Sequence, residues 1–436
     1  MTTSRLQTDS HSRTFKDFVL VIFGKFFSVG AIVACGVVAA RTGGPEQFGL
    51  YSAAIALILL LDALIGSPLD YAAVRFGAIH ENEPARSDRF QAATFRIKLT
   101  LGVIFVGVAL LARHRLARFF FNDPEQHTLI EIVIASTFAL LLVRSSAVSL
   151  QVKKQFSRYS IFDSAHAALR FTLLAAVALL GARSAEAFVG VFGGASAIVF
   201  IGALFVVRQT YLVARWPERH DARAILSYLT ATTVIIALGS LTGRADVLII
   251  SRLHPGESVG IYGAATQLAM PVTMLAGYAC IVFQPRVIPL ARARRLGSLI
   301  RTNVLVTLLA GAAAAPIVIW ALPTLVTLIL GDDYAPSVSI LQIILIGVWF
   351  DLLCMPIFMT YAIQVRPKGA LMGEIAITIA FFASVPLVVE GGLFAMAWIV
   401  TGVRALKLML YAGITLTSLD PSALPKPAVA PEPLPE

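Results

Sequence analysis

Stretches of about twenty apolar residues recur between residues 18 and 414, and each is long enough, as an α-helix, to cross a hydrocarbon layer of about 30 Å. No other feature constrains the chain so tightly, because a backbone inside lipid must satisfy its N–H and C=O groups within its own segment. Of the 436 residues 58% are hydrophobic and 14% charged, whereas a soluble domain is roughly 45–50% apolar. The sequence therefore predicts one continuous all-α membrane protein of about 12 transmembrane helices. They are expected at 18–40, 49–76, 91–112, 127–150, 159–181, 186–207, 224–250, 258–285, 302–329, 336–362, 369–389 and 391–415.

A cleavable signal peptide does not fit the start, since 1–17 is polar and the apolar stretch 18–40 is too long for a signal core. Cys35, Cys280 and Cys354 fall inside apolar segments without paired spacing, which suggests neither a disulfide framework nor a metal site. The net charge of +10 does not gather into one aromatic-laced patch of the kind that binds nucleic acid. It follows membrane topology instead. With the N-terminus inside, the intervening segments on that side carry 23 basic residues, among them Arg75, Arg86, Arg89, Lys98, Lys153, Lys154, Arg158, Arg292 and Arg366. The other side carries six: Arg41, Arg113, Arg115, Arg118, Arg183 and Arg252. The positive-inside rule then places both termini in the cytoplasm of a multi-pass protein of the bacterial inner membrane.

Displacing the sequence by 211 residues lays 41–75 over 252–286 without a gap, with ten of thirty-five positions identical. Shared apolar composition accounts for Ala and Leu matches, but not for Arg41/Arg252, Glu46/Glu257, Gly49/Gly260, Tyr51/Tyr262 and Arg75/Arg286. Gln151, Val152 and Lys153 likewise meet Gln364, Val365 and Arg366 at an offset of 213. The halves are read as a duplication of a six-helix unit. An even number of spans gives both copies one orientation, so the two parallel-repeat lobes should enclose a central cavity about an axis along the membrane normal. The expected organisation is a cytoplasmic segment 1–17, an N-terminal lobe 18–208, a linker 209–223, a C-terminal lobe 224–415 and a disordered proline-rich tail 416–436. The stretch 113–126 mixes arginines with Phe119, Phe120 and Phe121 and is expected to be an amphipathic connector.

Charges within lipid are expensive and face a partner, a hydrated cavity or a helix end. Candidates are Lys25, Asp62, Arg144, Asp163, His166 and Arg170 in the first half, and Arg244, Asp246, Asp351, Glu374, Arg404 and Lys407 in the second. Tyr159, Asp163, His166 and Arg170 are spaced four, three and four apart, which sets them on one helix face. Arg244 and Asp246, two apart, must point to different sides. Each such group could serve singly as an interhelical pair. Collectively, Lys25, Arg144, Arg170 and Arg244 suit a phosphate or pyrophosphate head group, because guanidinium grips phosphate bidentately. Asp62, Asp163, His166 and Asp246 are candidates for binding a coupling ion or forming a polar network; Asp351 and Glu374 are set aside as lying near helix ends. Pro68, Pro271, Pro285 and Pro356 are read as tolerated breaks.

No GxxxxGK[ST] loop, HExxH helix or GxSxG elbow occurs, so no catalytic residue, metal site or cofactor is expected and an ion gradient, of H+ or Na+, or a substrate gradient would drive transport. The runs RTGGPEQFGLYSAA, GSPLDYAAVRFGA, DVLIISRLHPGESVGIYGAA and LVTLILGDDYAPSVSILQIILIGVW resemble the Wzx-type oligosaccharide flippases. These form the polysaccharide exporter family of the multidrug/oligosaccharidyl-lipid/polysaccharide exporter superfamily. The resemblance implies a transporter, not an enzyme, that moves undecaprenyl-pyrophosphate-linked oligosaccharide to the periplasmic leaflet by alternating access, for cell-surface polysaccharide biosynthesis. Its partners would be the lipid-linked oligosaccharide, membrane lipids, and polysaccharide polymerase and assembly proteins, with no nucleic acid. A lipid II flippase or cation-coupled drug exporter is the transport alternative. A membrane O-antigen polymerase or ligase is the enzymatic alternative, and short outside loops disfavour it.

Overall fold

The computed structural model describes residues 2–207, 210–212, 214, 216, 218–292, 296–363 and 367–418, and those residues are helical almost throughout, without a strand. The predicted tail beyond residue 418 lies outside them, as do Arg208, Arg215, Arg294, Arg295 and Arg366 and the side chains of Cys280, Pro285, Arg286, Arg292 and Pro356. The first half comprises α1 (Thr2–Ile65), α2 (Ser67–Ile79), α3 (Pro84–Leu111), α4 (Arg113–Phe121), α5 (His127–Val152), α6 (Phe156–Leu179) and α7 (Ala185–Val206). The second comprises α8 (Arg219–Leu253), α9 (Gly256–Arg292), α10 (Leu296–Pro316), α11 (Leu322–Leu330), α12 (Ser337–Ile363), α13 (Pro367–Ser384) and α14 (Pro386–Ser418).

Unbroken, the 64 residues of α1 would stretch about 96 Å, yet Lys25, Cys35, Tyr51 and Leu59 line one cavity. The chain doubles back at Gly44, whose φ of 71° is open to glycine at no steric penalty, and Pro45 starts the returning arm. Nine helical stretches among the described residues have the length and apolarity to cross a membrane. Folding α1 into two spans and adding α9 and the apolar Leu371–Ser384 of α13 gives the predicted dozen. Three predicted spans are interrupted. Gly66 separates the return arm of α1 from α2, with Pro68 in the first turn of α2, where its missing N–H is not needed. The span at 302–329 carries a π-helical turn, Ile317–Ala321, between α10 and α11. The eleventh span runs past α13 into the first residues of α14 and turns at Gly392. Gly181 (φ 93°) and Gly392 (φ 59°), 211 residues apart, make the corresponding turn in each half.

The duplication has a geometric counterpart where the lobes meet, between the return arm of α1 and α9. A Cβ at Gly49 would strike the carbonyl oxygen of Gly256, and one at Gly260 would strike that of Pro45. Positions 256 and 260 are the counterparts of 45 and 49, so the two contacts are images of each other. Ser52 meets its own counterpart, Gly263. Reciprocal contacts of this kind are what a twofold axis imposes, and for two parallel copies that axis runs along the membrane normal. Ala53, Ala54, Ala264 and Ala265 are wholly buried around it.

Helices that double back define two faces. The basic face carries the turn between α2 and α3, with Arg86 and Lys154; the bend face carries Gly44, α4 and Gly331. Across the bend face the lobes are joined by Arg41 Nε donating to the Ile329 carbonyl (2.7 Å), Tyr334 Oη donating to the Ala40 carbonyl (3.1 Å) and Ser251 Oγ donating to the Phe120 carbonyl (3.0 Å). Arg252 also reaches Asn122 at the end of α4. At the basic face the start of α8 is held on α2 and α3 by the Arg86–Asp221 ion pair (2.8 Å) and by Phe76, Phe90 and Ile225.

Candidate functional site

Between the lobes lies a cavity of about 520 Å³, walled by α1, α2, α5, α6, α7, α8 and α9. Its longest wall is the predicted stripe on α6. Tyr159, Asp163, His166 and Arg170 all line it, and eleven residues of helical rise separate the ends of the stripe by about 16 Å. At the basic-face end Lys25 Nζ donates to Asp163 Oδ2 (2.8 Å), Ser28 Oγ donates to the same oxygen (2.9 Å), and Lys25 lies 4.8 Å from the Tyr159 ring centre. At the deep end Arg170 stacks on the Phe192 ring at 3.8 Å and donates from Nη2 to Ser196 Oγ (3.0 Å). His166 Nε2 lies 3.1 Å from the same hydroxyl. Arg170 Nε is buried without a partner among the described residues, a donor left over where almost every buried donor is used.

Arg144 on α5 pairs with Asp62 on α1. The Arg144 side chain is 47% exposed and Asp62 only 2%, so the carboxylate sits behind the guanidinium and the cation faces the cavity. Arg244 lines the opposite wall and, among the described residues, has neither a hydrogen bond nor an ion pair. Asp246 points away, as its two-residue spacing from Arg244 requires: it accepts from Tyr262 Oη (2.9 Å) and from the Val247 N–H (2.8 Å). The cavity thus unites Lys25, Arg144, Arg170, Arg244, Asp163 and His166, backs Arg144 with Asp62, and leaves Asp246 outside.

Two participants escape the sequence reading. Lys98, counted there among the basic flanking residues, is 3% exposed inside α3 and pairs with Asp70 of α2, with Ser145 Oγ 3.2 Å away. Asp70 and its neighbour Tyr71 line the cavity because the break at Gly66 turns α2 out of line with α1. Pro68 marks that break in the sequence, but no spacing rule joins Asp70 to a lysine 28 residues on. Asp351 and Glu374 are not helix-end groups: within the C-terminal lobe Asp351 pairs with Arg404 (3.3 Å), and Glu374 accepts from Tyr411 Oη (3.1 Å) with Lys407 at 3.9 Å. Those pairs bind α12 and α13 to α14, as interhelical glue does.

The pairing leaves a charge imbalance. Lys25 with Asp163, Arg144 with Asp62 and Lys98 with Asp70 cancel. Arg170 and Arg244 remain as two positive charges without a carboxylate partner in a cavity set within a membrane.

Comparison with solved structures gives the same architecture. The chain superposes on the lipid II flippase MurJ in an inward closed conformation with a TM-score of 0.73, at 13% identity over 91% of this chain and 87% of that one. A multidrug resistance MATE family transporter in its inward-facing conformation gives 0.69, at 15% identity over 92% and 97%. A transporter of the same superfamily from Pyrococcus furiosus gives 0.63, at 16% identity over 92% and 94%. The chain therefore shares its fold with these transporters. No curated protein sequence matches. The profile of the polysaccharide biosynthesis protein family matches residues 16–288, more than half of the chain, and the chain belongs to that family.

Proposed function

We propose that this transporter flips a polyprenyl-pyrophosphate-linked oligosaccharide from the cytoplasmic to the periplasmic leaflet of the bacterial inner membrane, for cell-surface polysaccharide assembly. The observation that carries this reading is the pair of uncompensated cations, Arg170 and Arg244, in a cavity otherwise neutral by pairing. A pyrophosphate would supply the missing anions and accept from the orphaned Arg170 Nε. Family membership supports the glycan, and the excess of basic residues on one face supports its assignment as cytoplasmic.

In the proposed route the head group enters from the basic face, an assignment supported by the cavity running towards that face and by the interlobe contacts that close the bend face. The physical task is specific. Sugar hydroxyls and phosphates cannot enter hydrocarbon without losing their hydrogen bonds, whereas a polyprenyl tail has no reason to leave it. The head group would travel in the cavity while the tail stays in lipid, and opening the bend face would release the head group on the other side. The likeness to the MurJ structure makes lipid II the second substrate to test.

The test is leaflet exposure of a labelled undecaprenyl-pyrophosphate oligosaccharide in vesicles containing the purified protein. Wild type should expose it, and Arg170→Ala with Arg244→Ala should reduce the rate at least tenfold. Unchanged transfer in the double variant would remove the head-group role. Transfer of lipid II or of a cationic drug, with no transfer of the oligosaccharide lipid, would reassign the substrate.

A further inference from the structure

The cavity is chemically polarised along its length. Its deep end offers Arg170, a hydrogen-bond donor stacked on Phe192 with no carboxylate partner among the described residues. Its basic-face end combines carboxylates, amines, an amide and aromatic faces: Asp163 with Lys25, Asp70 with Lys98 behind it, Gln151, Tyr159 and Tyr71. A phosphate accepts only, so carboxylates repel it. A sugar hydroxyl both donates and accepts and needs both kinds of partner.

We infer that this second end is a saccharide-recognition subsite, in which Tyr71 and Gln151 with the Lys25–Asp163 pair select the sugars next to the pyrophosphate. The inference rests on the head-group assignment above only for its orientation. Three observations carry it. Tyr71 projects from α2 with 57% of its surface exposed, and neither its hydroxyl nor the Gln151 amide has a side-chain partner among the described residues. Tyr71 and Tyr159 supply flat apolar surfaces with a polar edge, which suit the C–H face and hydroxyl rim of a pyranose. The Lys25–Asp163 and Lys98–Asp70 pairs make this end electroneutral while leaving polar atoms to share.

Lateral position follows from helix geometry. Along α1, Lys25 and Cys35 are separated by about 15 Å of rise, and along α6 Tyr159 and Arg170 by about 16 Å. Both helices run the length of the cavity, so the sugar end and the phosphate end are distinct places. One lipid head group can fill both.

Binding to the purified full-length protein in nanodiscs, with two probes, tests the subsite. One probe is undecaprenyl pyrophosphate without sugar; the other is the same lipid carrying a neutral hexose disaccharide. Tyr71→Ala and Gln151→Ala should each weaken the glycolipid about tenfold, the effect of removing a polar or stacking contact worth about 1.4 kcal/mol, and change the sugar-free lipid less than twofold. Tyr71→Phe should recover the stacking part, showing that the site is folded. Arg244→Gln should weaken both probes alike. Equal losses on both probes for Tyr71→Ala and Gln151→Ala, or no loss on either, would overturn the subsite. If Arg244→Gln affects neither probe while the Tyr71 variant still separates them, the phosphate assignment fails and the saccharide subsite stands.

Discussion

Replacing Gly260 by alanine should open the bend face. In a helix interior, Gly→Ala ordinarily stabilises by about 0.5–1 kcal/mol. At Gly260 the new methyl would collide with the Pro45 carbonyl oxygen and lie 2.7 Å from the Pro45 carbonyl carbon and 3.0 Å from its Cα. These are backbone atoms of the facing lobe and cannot rotate aside. Overpacking of this kind costs about 1–3 kcal/mol, and it acts only while the lobes are sealed. A net loss of about 1–2 kcal/mol from the sealed state shifts the sealed-to-open equilibrium by about 5–30-fold. Cys35 reports the change, because it lines the cavity and is 5% exposed. With Cys280 and Cys354 replaced by alanine, a membrane-impermeant maleimide applied to the bend face should label Cys35 faster in Gly260→Ala by about that factor. Gly49→Ala should do the same through Gly256. Gly190→Ala, where an added Cβ meets nothing within 4 Å, should leave the rate unchanged. Wild-type labelling in both Gly260→Ala and Gly49→Ala, at normal membrane abundance, would refute the idea that this crossing holds the face shut.

Tyr334→Phe removes the bond to the Ala40 carbonyl and, at about 1 kcal/mol net, should raise bend-face labelling of Cys35 about fivefold in the same assay. Lys98→Ala strands the Asp70 carboxylate and should lower stability by about 3–5 kcal/mol, seen as a lower detergent Tm, whereas Lys98→Met with Asp70→Leu should recover most of it. Arg170→Lys keeps the charge but loses the planar fork and the Ser196 geometry, so binding of sugar-free undecaprenyl pyrophosphate should fall between wild type and Arg170→Ala. A cysteine at Glu125 should react with impermeant reagent from the periplasmic side and one at Glu81 should not; the reverse pattern would invert the orientation.

The spans were legible because lipid permits so few backbone solutions: apolar length located the nine stretches that the described residues fold as helices able to cross a membrane. The stripe on α6 was also legible, since its spacing of four, three and four is a property of one helix, as was the divergence of Arg244 and Asp246. Partners were not. Lys25 meets Asp163 across 138 residues and Arg144 meets Asp62 across 82, and no local periodicity encodes which helices lie side by side. The pairing decides which cations stay uncompensated, so the distinction between Arg144 and Arg244 becomes visible only in three dimensions. Asp351 and Glu374, set aside in the sequence as helix-end groups, belong with these: the cations that neutralise them lie on α14, beyond the reach of any local spacing.

The repeat, so well kept where the lobes touch, is largely lost where the cargo would lie. At the 211-residue offset that relates Gly181 to Gly392, Tyr159, Asp163, His166 and Arg170 correspond to Ala370, Glu374, Ile377 and Phe381; only the acid persists, and it is held by Tyr411 and Lys407 inside its own lobe. The inherited symmetry survives as a bearing, while the load has passed to one copy. Such a division of labour would free the cavity-lining residues of the N-terminal copy to change with the cargo, while both copies keep the crossing of α1 and α9. On the function proposed above, a lineage that acquires a new cell-surface polysaccharide would need to revise mainly the N-terminal half, which supplies most of the cavity wall.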